Sequence, residues 1–219
     1  MQLRRAIVLA FVLVGWAGPA LARQVENLET RYPRGESIGV GAGKEVFAVV
    51  GRPELALVVA RMHPWALDHW KQELRLQKVF ARLGFPVVEV LELGKSGDGR
   101  PAMVQPRYAM GTKDYCVRGG RRLVSARTAS DWARLLELGE RHGIWPQDPQ
   151  GLLGFDGSLV LADFGYGLNI WGRGSPEREA ALQELRSSGS QPPRIDGGRP
   201  YVLQLYGLML ADVTPPAPR

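Results

Sequence analysis

The chain has 219 residues, a formal net charge of +6 and an isoelectric point near 9.8. Its 45% hydrophobic and 23% charged residues supply enough apolar surface to offset chain entropy, which excludes overall disorder; the length suits one domain or two small lobes. The basic residues are spread along the chain without a recognition helix, zinc finger or aromatic RNA-binding strand, so nucleic acid is not an expected partner, and a single cysteine, Cys116, excludes an internal disulfide.

At the N-terminus, Arg4 and Arg5 precede the apolar run Ala6 to Trp16, then Pro19 and the small-x-small triplet Ala20-Leu21-Ala22. This is the layout of a secretory signal peptide over residues 1–22, too short for a comfortable membrane span. The mature chain is expected to begin near Arg23 and to be periplasmic or secreted, without membrane attachment after cleavage. An uncleaved anchor is the alternative.

Residues 23–35 read as a polar lead-in. Residues 36–51 read as strand, glycine turn, strand, followed by a turn at Gly51-Arg52-Pro53-Glu54 and a third strand from Leu55 to Met62. Pro64 suits a helix first turn, and Leu67, Trp70, Leu74 and Ala81 recur at helical spacing up to Gly84. Strands are expected over Val87 to Leu93 and Pro101 to Tyr108, so residues 36–108 form a β-β-β-α-β-β lobe. In residues 109–212 a helix is expected from Ser130 or Asp131 to Arg141. Two short strands then flank the Asp156-Gly157 turn, with helices over Pro176 to Arg186 and 201–212. The proline-rich end, 213–219, reads as a flexible tail.

Four short patterns carry the chemistry. The first is Gly39-Val40-Gly41-Ala42-Gly43-Lys44-Glu45-Val46-Phe47, where glycines let backbone N–H groups approach phosphate oxygens that side chains would block. The third strand ends Val58-Val59-Ala60-Arg61, and the following helix carries Glu73. His142-Gly143-Ile144 leads into Gln147-Asp148-Pro149-Gln150. Ala162-Asp163-Phe164-Gly165 follows an apolar strand.

In this order the patterns resemble the protein-kinase superfamily over about residues 36–170. The resemblance implies an α+β fold of two lobes: a five-stranded antiparallel N-lobe and a shortened, mainly helical C-lobe. It implies that Gly39, Gly41 and Gly43 cover the phosphates of Mg-ATP, with Val46 against the adenine. Arg61 stands where kinases place the phosphate-binding lysine, with Glu73 as its partner. Asp163 would hold magnesium, Gln150 would replace the metal-binding asparagine, and Asp148 would accept the hydroxyl proton. The third strand has no lysine, the His-Arg-Asp loop and its asparagine are missing, and no Ala-Pro-Glu motif follows.

These departures, with the export signal, favour a pseudokinase: a binding module for a protein partner such as an effector, a toxin or an envelope enzyme. The alternative is a small active kinase that uses Mg-ATP after delivery into another cell. A third reading is an unrelated periplasmic α+β domain. His63, His69 and His142 lack metal-ligand spacing.

Overall fold

The computed structural model describes residues 26–62, 64–111, 123–147, 150–164, 167–187 and 194–197. Residues 1–22, read above as a signal peptide, Cys116, Asp148, Gly165, the apolar 201–212 segment and the tail lie outside them.

The first lobe is a five-stranded antiparallel sheet of β1 (Arg34–Val40), β2 (Lys44–Val49), β3 (Arg52–Ala60), β4 (Glu92–Lys95) and β5 (Pro101–Pro106), ordered β1-β2-β3-β5-β4. The helix α1 (Pro64–Arg82) is inserted between β3 and β4. Leu55 to Ala60 is an unbroken buried run because β3 is covered on both faces. Leu55, Leu57 and Val59 meet Ala102, Val104 and Leu28 on one face; Val58, Ala60 and Met103 meet Trp70 of α1 on the other.

Two strand boundaries differ from the sequence expectation. The β2–β3 turn is centred on Val50 and Gly51, with Gly51 at φ +74°, so Arg52, Pro53 and Glu54 belong to β3. The pairing jumps there from Ala48↔Ala56 to Val49↔Arg52, and Pro53 lies in that irregularity, where its missing N–H costs no ladder bond. The expected strand at Val87 to Leu93 is confined to Glu92–Lys95. Residues 86–88 pair instead with the second lobe: the Val88 N–H donates to Leu161 O at 2.9 Å, and the Leu161 N–H donates to Pro86 O at 2.8 Å.

The second lobe contains β6 (Met110–Gly111), α2 (Ala126–His142), β7 (Ile144–Pro146), β8 (Gln150–Leu153), β9 (Leu159–Ala162), β10 (Gly167–Ile170), α3 (Pro176–Ser187) and β11 (Arg194–Gly197). The strands make two small sheets, β6-β8-β9 and β11-β10-β7. Helix α2 begins earlier than the sequence indicates, because Ser125 serves as N-cap and its N–H donates to Thr128 Oγ1 at 3.1 Å. It ends at Gly143, φ +61°, a left-handed cap where a Cβ would strike the Trp171 carbonyl oxygen.

One core joins α1, α2 and α3: Leu76, Val79, Phe80 and Leu83 pack with Leu135, Trp145, Phe164, Leu182 and their neighbours. Arg178 of α3 is buried at its edge. Its guanidinium donates to the carbonyls of His142, Gly143 and Trp171 at 3.1–3.2 Å. The fold is therefore a mixed α+β structure with an antiparallel first lobe, as the sequence indicates.

Candidate phosphate and metal site

The β1–β2 turn supplies the roof of the site. Gly39 and Gly41 both have negative φ, unlike the glycines at turns and caps. A Cβ at Gly39 would lie 3.6 Å from Val46 and one at Gly41 3.7 Å from Lys44 O, ordinary contacts in both cases. The fold itself therefore has room for side chains at these positions. By contrast, a Cβ at Gly94 would meet Glu26 O at 2.6 Å, so that glycine is demanded by packing.

The cation of the site comes from an unexpected strand. Lys44 opens β2, level with Ala60 in the antiparallel register, and its Nζ forms an ion pair with Glu73 Oε1 of α1. The Glu73 side chain is 7% exposed and that of Lys44 20% exposed, so the pair is shielded from water. Burial disfavours the charge on Lys44, but the carboxylates of Glu73 and Asp163 and the hydrogen bond to Glu73 outweigh it, and its pKa is raised.

The expected Arg61–Glu73 pair is thus corrected. β3 ends at Ala60, and Arg61 turns toward the glycine turn. Its N–H donates to Gly43 O at 3.0 Å and its Nη1 to Gly41 O at 3.3 Å. Val46 sits on the α1-facing side of the sheet with Val58, Ala60 and Met103, an apolar ceiling beside the turn.

The floor is the β8–β9 hairpin. Gln150 pairs with Ala162, which brings its side chain to the residue that follows β9, and Gln150 Nε2 donates to Asp163 Oδ2 at 2.8 Å. Asp163 has φ +50°, the only positive value among the described non-glycine residues. Such a backbone is uncommon for a non-glycine residue, and Asp is among the types that tolerate it best. The Phe164 ring is fully buried, 5.1 Å from Phe80 of α1.

Glu73, Lys44, Asp163 and Gln150 therefore form one linked polar group between the lobes. A carboxylate and an amide oxygen are ligand types that suit magnesium, which keeps few protein ligands and takes the rest from phosphate and water. Among the described residues no group of three or more His, Cys, Asp or Glu could hold a metal alone. His142 lies away from this group: its Nδ1 is 2.7 Å from Ser175 Oγ, and burial lowers its pKa.

Lys44 is the residue that sequence reading missed. It stood inside the glycine motif, and the hairpin register about Gly41 to Gly43 was the signal that sets it opposite the end of β3.

The model for the type III secretion system effector HopBF1 kinase domain matches residues 20–165. A search of curated proteins finds no match. Among solved structures, the CAK complex from Chaetomium thermophilum bound to ATP-gamma-S matches at 18% identity and a TM-score of 0.47, covering 68% of this chain and 50% of that one. This chain thus spans half the length of that solved chain.

Proposed function

This chain belongs to the type III secretion system effector HopBF1 kinase domain family, and we propose that it is an active phosphotransferase moving the terminal phosphoryl group of Mg-ATP to a protein hydroxyl. The observation that carries this reading is the shielded Lys44–Glu73 pair facing Asp163. Of the departures that favour a pseudokinase, the third strand without lysine is met by Lys44, which supplies from the neighbouring strand the charge that strand lacks; the missing His-Arg-Asp loop and its asparagine are not.

Each residue has a role. Lys44, protonated at neutral pH, stabilises phosphate oxygens, and Glu73 fixes its direction. Gly39, Gly41 and Gly43 would keep side chains away from the phosphates, which accounts for Gly39 and Gly41, two glycines that packing does not require. Val46 contacts the base. Asp163 and Gln150 would hold magnesium, which neutralises charge on the transferring group. Asp148, between Gln147 and Gln150, would accept the acceptor's proton. Arg61 steadies the glycine turn through the Gly41 carbonyl.

An effector of this family is a secreted protein, which agrees with export; delivery to a compartment that holds ATP is part of the proposal. No helix among the described residues is long and apolar enough to cross a membrane. Export through residues 1–22 remains part of the proposal, and N-terminal sequencing of the secreted protein checks it by finding Arg23 first.

The test is magnesium-dependent nucleotide binding and phosphate transfer by residues 23–219. Wild type is expected to bind and transfer, whereas Asp163→Ala and Lys44→Met lose at least about 100-fold in rate. Full transfer by both variants would reject catalysis at this site. Binding without transfer in wild type would restore the pseudokinase reading.

A further inference from the structure

Glu73 acts only if α1 holds it against β2, so whatever fixes α1 fixes the ion pair. The near half of α1 lies on the sheet through Trp70. Its far half presents Leu76, Val79 and Phe80 at spacings of three and four residues, continued by Leu83 just past its end, all buried in the core of the second lobe. The matching stripe comes from α3, where Ala181, Leu182 and Leu185 are buried in that same core. Arg82 of α1 and Glu184 of α3 pair at the rim.

Helix α3 is itself anchored. Ser175 Oγ accepts the Arg178 N–H at 3.1 Å and lies against His142 at the end of α2. The Arg178 guanidinium grips three carbonyls around the α2 cap. Only β10 and a short turn separate Asp163 from this anchored helix, which lies beyond the family-matched residues 20–165.

Resting on the phosphotransferase reading, we propose that α3 is a built-in clamp on α1, with Leu182 and Leu185 as positioning residues for Glu73. The Lys44–Glu73 pair is then set by the fold, and the chain requires neither an activating phosphorylation nor a partner to assemble it. Phe164, packed on Phe80, carries the same constraint to Asp163.

The experiment compares wild type, Leu182→Ala, the milder Leu182→Val and a control, Leu28→Ala, which opens a cavity in the separate core under β3. Rates, urea midpoints and hydrogen exchange of the α1 amides are measured on phosphatase-treated protein. Wild type is expected to keep its full rate after phosphatase treatment. Leu182→Ala is expected to lower kcat about tenfold with the nucleotide KM within about threefold, and to speed exchange around Glu73. Leu28→Ala is expected to leave kcat unchanged despite comparable destabilisation. Should Leu182→Ala not fold, Leu182→Val is read the same way with a smaller effect.

The clamp is overturned if phosphatase treatment abolishes the rate, if the α1 amides exchange as in wild type, or if kcat falls equally in Leu28→Ala at matched stability. A wild type that neither binds nor transfers would reject the phosphotransferase reading alone. The α1 exchange in the Leu182 variants would still decide the clamp.

Discussion

Lys44 is held by two opposing influences, burial against its charge and the carboxylates of Glu73 and Asp163 in favour of it. Because the folded-state pKa lies above the ordinary 10.5, the unfolded chain loses this proton first. The pair's contribution to stability is present below that value and is lost as pH rises through the folded pKa. Urea midpoints of wild type and Lys44→Met should therefore differ at pH 8 and converge in strong alkali. His142 gives the opposite slope at the other end of the scale. Burial lowers its pKa below 6.5, so the unfolded chain binds the proton more readily and stability falls as pH drops below that value. A urea midpoint lower at pH 5 than at pH 7, with the difference reduced in His142→Gln, is the expected result. Asp163, Glu73 and Gln150 are legible in the sequence as candidate site residues. The pairing of Glu73 was not legible, because it depends on which strand faces α1, and that follows from sheet register and not from the residues flanking Arg61.

The helices of the second lobe depend on one buried cation and two glycines. A Cβ at Gly174, φ +66°, would overlap the Arg178 guanidinium, and one at Gly143 would meet the Trp171 carbonyl. Replacing Arg178 by Met leaves the carbonyls of His142, Gly143 and Trp171 without their charged donor and is expected to cost roughly 1.5–3 kcal/mol in urea unfolding. Gly174→Ala should destabilise through the same contact, and a stability equal to wild type would show that the guanidinium is not fixed there. The extent of α3 was readable from its composition, and the observed Pro176–Ser187 differs from the expected range by one residue. Arg178 was not readable as an internal cap, since an arginine on a helix is ordinarily solvated and only the approach of three carbonyls identifies it. The start of α2 was read late because Ser130 and Asp131 are also capping types, while Ser125 gains its role from Thr128.

At the scale of the whole molecule, the packed unit begins before residue 36. Leu28, in the short turn Leu28–Thr30, is fully buried among Val49, Leu57, Val59 and Val104. The Glu29 carboxylate accepts the Gly97 N–H at 2.8 Å, and Lys95 N–H donates to Glu26 O at 2.9 Å, which straps this segment across the β4–β5 end of the sheet. Leu28→Ala should cost about 2–5 kcal/mol in urea unfolding. The order of strands and helices in the first lobe was legible from alternation and turn signals. The burial of Leu28 was not, because one leucine in a polar stretch has no periodic neighbours to mark its face.

The exchange of hydrogen bonds between Pro86, Val88 and Leu161 has a mechanical consequence. The lobes are joined covalently where the chain leaves β5, and they are stitched a second time where the segment after α1 runs beside β9. Helix α1, seated on the sheet through Trp70 and buried in the second-lobe core through Leu76, Val79 and Phe80, is a third attachment. Three points fix a plane, so the lobes are braced like a tripod against sliding, twisting and rocking alike, and movement of the glycine turn is left to the β1–β2 hairpin itself.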